Sequence, residues 1–255
     1  MGPAVSVEWR GRVMVATLAV PTTGNALSVA MVEALHGVVD AAEEGRAALL
    51  CLRNQGNRFC TGFDLTAVED ETDASLLARF VRIEMLLTRV HSAPFATLAF
   101  ASGTATGAGA DLYASCSRRY CGPDAKFSFP GAGFGLVLGT GRLAALVGAS
   151  SAQELVASGR TIDAQESMRL GLSNAMIACD DFEAVLESET QAAARLDRHT
   201  LASVRSLLAG RDADRDLAAL VRSAARAGLK DRIVAHLARV KAGRASAAVM
   251  GNAYE

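Results

Sequence analysis

The spacing of apolar positions changes several times along the chain, and each change marks an element. Val5-Ser6-Val7-Glu8-Trp9 alternates, Arg10-Gly11-Arg12 reads as a turn, and Val13-Met14-Val15-Ala16-Thr17-Leu18 resumes the strand, which predicts a β-hairpin. Met31, Leu35, Val38, Val39 and Ala42 then recur at helical spacing behind Ser28, the expected N-cap. Residues 47–52 form a short continuous apolar run, the pattern of a strand buried on both faces, and a polar loop follows over 53–58. A second helix is predicted between Asp73 and His91, with Phe80, Ile83, Leu87 and Val90 on one stripe. Pro94 ends it, and residues 95–100 read as another buried strand. Strand and helix alternate, so the fold class is α/β with largely parallel strands.

Beyond the middle the pattern turns helical. Ser150-Ser151-Ala152-Gln153 and Asp163-Ala164-Gln165-Glu166 both have the form of capping boxes, with Gly171 ending the second of these helices. Asp180-Asp181-Phe182-Glu183 opens a longer helix. Residues 202–242 read as amphipathic helices broken near Gly210 and Gly228, packing on the domain or on a neighbouring subunit. The expected division is a core over 1–195 and a C-terminal helical region over 196–255.

Composition narrows the classes of function. Half of the 255 residues are apolar and the formal net charge is -1, so the strongly basic surface of a nucleic-acid binder is missing. The first residues show no basic region followed by an apolar core, so no secretory signal is expected. The weakly polar stretch 93–110 is broken by Pro94 and glycines and runs into Asp111, which reads as core rather than a membrane span. Five cysteines without a C-x-x-C pair suit reduced thiols of a cytoplasmic protein. His36, His91, His199 and His236 are scattered without ligand spacing, so no metal site is expected.

Two glycine-bearing segments carry the candidate chemistry. Phe59-Cys60-Thr61-Gly62-Phe63-Asp64-Leu65 follows a strand by one loop, and Gly62 lets backbone approach a ligand closely. Gly103-Thr104-Ala105-Thr106-Gly107-Ala108-Gly109-Ala110-Asp111 follows another strand and leads into a helix. A helix start offers unpaired N–H groups and a positive partial charge, which suits a developing oxyanion. Either segment alone is equally well read as tight packing. Gly131-Ala132-Gly133-Phe134-Gly135 lacks the spacing of a dinucleotide fingerprint and reads as a packing or pocket loop. Ser128 and Cys60 have no histidine near them in sequence, so both read as structural.

Taken together, the segments resemble those of the crotonase superfamily, the enoyl-CoA hydratases and isomerases. Residues 59–65 are similar to that family's F-C-x-G-x-D-L, and residues 103–111 to its G-x-x-x-G-G-G-x-E. Asn25-Ala26-Leu27-Ser28 and Ser158-Gly159-Arg160-Thr161-Ile162-Asp163-Ala164 match in order and spacing, so the resemblance covers roughly residues 5–180. It implies a crotonase-like spiral of ββα units, trimers or dimers of trimers, and an acyl-CoA thioester substrate, with coenzyme A part of the substrate rather than a separate cofactor. It also implies oxyanion donors at the N–H groups of Phe63 and Ala108. Gly62, Phe63, Asp64, Leu65, Thr66, Gly107 and Ala108 would line the substrate path, with Ala26 near the nucleotide end of the CoA. Ala108 stands where the family has glycine; its N–H survives, and the resemblance implies a methyl close enough to crowd the acyl group.

Hydratases of this family use two glutamates. Asp111 stands at the first position, one methylene shorter, as the implied base; its other reading is a helix-start carboxylate favoured by the dipole. Gly131 stands at the second. One-base isomerisation or weak hydration is therefore the leading expectation, with decarboxylation and hydrolysis open. The alternative is a catalytically impaired acyl-CoA-binding homologue or partner subunit.

Overall fold

A computed structural model describes residues 2–208 and 213–251. The chain runs through β1 (Val5–Arg10), β2 (Val13–Leu18), α1 (Val29–Glu44), β3 (Leu49–Asn54), β4 (Arg58–Cys60), α2 (Asp73–His91) and β5 (Ala96–Ala101). There follow β6 (Thr104–Thr106), α3 (Ala108–Ser115), β7 (Arg118–Cys121), β8 (Lys126–Ser128), α4 (Thr140–Val147), α5 (Ala149–Ser158), β9 (Ile162–Asp163), α6 (Ala164–Arg169) and β10 (Ala175–Met176). The C-terminal region is helical: α7 (Phe182–Ala194), α8 (Arg198–Leu208), α9 (Ala213–Ala224) and α10 (Leu229–Gly251).

Among the described residues the strands form two sheets, in the orders β1-β2-β3-β5-β7-β10 and β4-β6-β8-β9. The hairpin β1–β2 is antiparallel; from β2 to β10 the larger sheet is parallel. In the smaller sheet β9 alone runs antiparallel. The apolar run in β3 has a simple cause. Leu50 and Leu52 face the main core with α1 and α2, while Leu49 and Cys51 face the opposite side, where Phe182 and Leu186 of α7 pack. With both faces covered, alternation has nothing to select.

The predicted caps fare differently. Ser28 accepts a hydrogen bond from the Met31 N–H at 3.2 Å and starts α1. Asp163 accepts from the Glu166 N–H at 2.8 Å and starts α6, but the Glu166 carboxylate turns to Arg160, so the box is half made. Gly171 adopts a left-handed φ of 83° just past α6, as expected. The cap predicted at Ser150 is not there. Gly148 joins α4 directly to α5 with φ 80° and ψ 155°, so α5 begins at Ala149 and Ser150 lies inside its first turn. The break at Gly228 is present, with φ 74°; the one near Gly210 lies outside the described residues.

α9 and α10 fold back on the domain. Leu220 and Ala224 of α9 and Leu229 and Ile233 of α10 bury against Leu76 and Phe80 of α2, with Leu136 and Val68. The carboxylate of Asp73, at the start of α2, accepts the N–H groups of Gly228 and Lys230 at 2.8 Å each, and so caps α10 across the fold. No described helix is long and apolar enough to cross a membrane.

Candidate functional site

The two glycine segments meet. β4 and β6 are neighbours in the smaller sheet, so the chain leaving β4 lies beside the start of α3. Gly62 has φ 84°, and a Cβ built on it would stand 2.5 Å from the Thr106 carbonyl oxygen and 3.2 Å from the Ala108 nitrogen. A side chain there is excluded both by φ and by space. Gly109 repeats the constraint from the other side: its Cβ would run into the backbone and side chain of Cys60.

What this close approach leaves exposed is backbone. Ala108 is the first residue of α3, so its N–H has no acceptor within the helix. The Phe63 N–H is bypassed as well, because the bridge between Leu27 and Phe63 is made by the Leu27 N–H donating to the Gly62 carbonyl at 2.7 Å. Among the described residues neither the Phe63 nor the Ala108 N–H has an acceptor. Both residues line a cavity of about 660 Å³, together with Leu65, Gly107, Asp111 and Gly131. Gly62, expected to line the substrate path, does not line this cavity. Ala26, Asp64 and Thr66 do not line it; Asp64 instead accepts the Thr66 N–H at 2.9 Å in a local turn.

Phe63 is fixed from both sides. Its ring stacks on Phe80 at 4.2 Å, and the Arg79 guanidinium stands 4.2 Å from its centroid. Arg79 is itself held by Glu71 at 2.6 Å and donates to the Asp64 carbonyl at 3.0 Å. The amide of Phe63 therefore sits in a segment anchored by α2.

Asp111 lies in the first turn of α3 and is 5% exposed. Its carboxyl packs against Gly139, whose left-handed φ of 63° and missing Cβ make the contact sterically feasible. Burial pushes its pKa well above the ordinary carboxylate range; Arg142 opposes the shift, while Glu84 and Asp216 add to it. Asp111 thus stands at a helix start, where the dipole favours a carboxylate, while burial acts in the opposite sense on its charged form. Behind it lies a buried ionic group that the sequence reading did not identify. Arg142 makes two parallel hydrogen bonds to Glu84, at 2.8 and 2.7 Å, and a third to Asp216 at 3.3 Å. These residues come from α4, α2 and α9, too far apart in sequence for any local pattern to join them.

The family model for enoyl-CoA hydratase/isomerase matches residues 8–246. The chain belongs to the enoyl-CoA hydratase/isomerase family. It is thereby an enzyme-family member of the crotonase superfamily, with that superfamily's α/β fold. A solved structure from Bordetella parapertussis, assigned as an enoyl-CoA hydratase/isomerase, is 43% identical, with a TM-score of 0.91 over 93% of this chain and 99% of that one. A Bacillus subtilis protein assigned as an enoyl-CoA hydratase is 33% identical over 193 residues, 72% of this chain and 74% of its own. An ethylmalonyl-CoA decarboxylase from Gallus gallus is 30% identical over 164 residues, 62% of this chain and 53% of its own. Relatives of this hydratase/isomerase homologue thus carry names for more than one reaction.

Within the family frame, Gly131 sits in a short 3-10 turn, Pro130–Phe134, and lines the cavity without supplying a side chain. Ser128 lines it too, with its hydroxyl 3.4 Å from that of Thr106. Cys60 is fully buried and its thiol is pushed up to about 12 by desolvation, so it stays protonated. Among the described residues no group of three His, Cys, Asp or Glu side chains could hold a metal ion. His236 of α10, which the sequence shows only as one of four scattered histidines, also lines the cavity.

Proposed function

We propose that the chain processes acyl-CoA thioesters by stabilising a thioester enolate, with the N–H groups of Phe63 and Ala108 on the carbonyl oxygen and Asp111 as the acid–base group. The observation that carries this reading is the pair of unpaired amides brought together across Gly62, beside a buried carboxyl in one cavity. Removing the α-proton of a thioester moves charge onto the carbonyl oxygen. Two fixed donors outside water stabilise that charge more in the transition state than in the ground state. Burial raises the Asp111 pKa above the ordinary carboxylate range, which makes its carboxylate a stronger base than a solvated one. The chemistry that follows is shuttling of one proton between C2 and C4, which isomerises a 3-enoyl to a 2-enoyl thioester, with hydration as a weaker activity. We further assign the protein to the cytoplasm as a homotrimer or a dimer of trimers, following the family resemblance.

A backbone claim takes a backbone test. Ala108 is the first residue of α3, where proline is well tolerated, so Ala108→Pro deletes one N–H while keeping the helix. Loss of one such donor is expected to lower kcat by about 10²–10³. Ala108→Gly keeps the N–H and is expected to stay within about tenfold of wild type. Phe63→Pro and Phe63→Ala make the second pair. Turnover of short and medium 2-enoyl- and 3-enoyl-CoAs, followed by absorbance and mass, is the readout; equal losses within each pair would refute the donor assignment. Gly131 at the second carboxylate position favours one other reading, an acyl-CoA binder without chemistry. Calorimetric binding with no turnover in either panel would establish it.

A further inference from the structure

The cavity is lined by an imidazole that does not come from the position where sequence leads one to look. Among its lining residues three are titratable: Asp111, Lys126 and His236. Gly131 contributes no acid or base, and the imidazole of His236 enters beside the same turn. A Cβ built on Gly133 would stand 2.8 Å from its Cε1 and 3.0 Å from its Nδ1, with Nε2 farther off at 3.9 Å. The ring thus occupies the space that a side chain at 133 would fill. Phe134 packs on it at 5.3 Å, tilted by 59°, and the Gly133 backbone interacts with it. α10 is tied to the turn on both sides of the histidine, because Arg232 donates to the Phe134 carbonyl at 3.1 Å and Arg239 to the Gly133 carbonyl at 3.0 Å. A half-buried imidazole held this firmly at the wall of a cavity is more than a solvated helix residue.

We propose that His236 is the base that activates water for addition to C3 of a 2-enoyl thioester, in partnership with Asp111. This rests on the enolate reading given above. In the step, a water O–H bond breaks and its proton passes to the neutral imidazole while the oxygen bonds to C3. The electron pair of the C2=C3 double bond moves to the thioester oxygen, held by the Phe63 and Ala108 N–H groups. The protonated carboxyl of Asp111 gives its proton to C2 as the enolate collapses, and the imidazolium proton returns to Asp111 through solvent. Water is added and nothing is oxidised or reduced.

The environments suit these roles. Burial and the charge of Arg239 hold the His236 pKa below its ordinary value, so the imidazole is neutral near pH 7. The 130–134 turn packed against it brings no titratable side chain; α2 meets α10 through apolar Leu76 and Phe80 against Leu229 and Ile233, and its Asp73 and the Glu69 carbonyl of the Val68–Asp70 turn engage Lys230 at the helix start. Asp111, faced by Arg142, Glu84 and Asp216, is raised and so retains its proton longer than an ordinary carboxyl.

Two reactions of the full-length protein separate the claims. Exchange of the α-protons of butyryl-CoA in D2O, followed by mass, needs the amide pair and Asp111 but adds no water. Hydration of crotonyl-CoA needs His236 as well. His236→Gln is expected to lower the ratio of hydration to exchange by about 10²–10³ and to abolish the acidic limb of the pH profile for hydration while the basic limb stays. Gly133→Ala, which displaces the ring through a Cβ at a position with no left-handed φ, is expected to lower the same ratio by about tenfold or more. Hydration by His236→Gln at the wild-type ratio, or with the acidic limb intact, overturns the proposal. Wild-type protein that exchanges α-protons but adds no water also overturns it and leaves the enolate reading standing; wild-type protein that does neither overturns both.

Discussion

Asp111 is a side chain whose environment is unfavourable for its charged form in the fold and, in the proposed reaction, useful for the chemistry. Aspartate is one methylene shorter than glutamate, so its carboxyl stays close to the backbone, and Gly139 makes room for it there by leaving out the Cβ that would collide with it. The result is a carboxyl in the first turn of α3 that is desolvated and raised in pKa. In the folded protein its charged form is disfavoured, so stability linked to this group is intact below the unfolded value near 4 and is lost as pH rises through the higher folded value. Asp111→Asn removes that ionisation. It is expected to lower α-proton exchange and enoyl turnover by about 10²–10⁴, yet to raise the melting temperature at pH 8. The gain in melting temperature should shrink toward zero below about pH 3, where the aspartate is neutral in both the folded and the unfolded state. Thermal unfolding of the two at several pH values checks this, and a variant less stable than wild type at pH 8 would contradict the assigned environment.

Elements formed where local signals and tertiary packing agree, and the disagreements are instructive. α1 and α2 were legible because an apolar stripe of helical period runs behind a capping hydroxyl or ahead of a proline. β3 and β5 were legible as runs without period, since α7 covers the face that alternation would leave wet. The start of α5 was misread at Ser150 because a serine followed by glutamine describes a local hydrogen bond, whereas Gly148 with its left-handed φ lets α5 continue directly from α4. The glycine segments of the site were readable for a related reason: close backbone approach at Gly62 and Gly109 admits no side chain, and that constraint is written in the sequence. His236 and the group Glu84–Arg142–Asp216 were not readable, because each joins elements distant along the chain. That group also supports an element-scale prediction. Glu84 is fully buried and its partner Arg142 nearly so, and among the described residues the Arg142 Nε has no acceptor. Arg142→Met strands a buried carboxylate between α2 and α4 and is expected to cost about 3–5 kcal/mol. Adding Glu84→Leu to that variant should recover most of the loss, since an apolar pair needs no desolvation of charge. Urea unfolding midpoints at constant slope measure both, and a double variant no more stable than the single one would mean that the pair itself stabilises the fold.

On the scale of the whole molecule, the C-terminal helices complete the cavity that the two sheets begin. Phe63, Ala108 and Asp111 come from the spiral core, whereas His236 and Leu237 reach the same space from α10, which starts more than 100 residues later. One carboxylate sets how α10 meets the core: Asp73 of α2 accepts the Gly228 and Lys230 N–H groups and thereby satisfies donors that the start of α10 would otherwise leave open. The Lys230 ammonium adds a contact with the Glu69 carbonyl. The hydrogen bonds from the Lys230 and Gly228 N–H groups hold the Asp73 pKa below the ordinary carboxylate value. The stabilisation they carry is therefore present above the unfolded value and lost as pH falls through the lower folded one. Asp73→Ala is expected to loosen the start of α10 without touching the sheets. Amide hydrogen exchange should speed up across 229–240 relative to β3 and β5, and KM for an enoyl-CoA should rise several-fold because one wall of its cavity is less well held. Wild type and variant should converge in melting behaviour as the pH is lowered past the depressed folded value of Asp73, where it is protonated in both states. Acceleration spread evenly over the sheets and α10 would show instead that α10 opens only with the whole fold, and that the cavity wall is as firm as the core behind it.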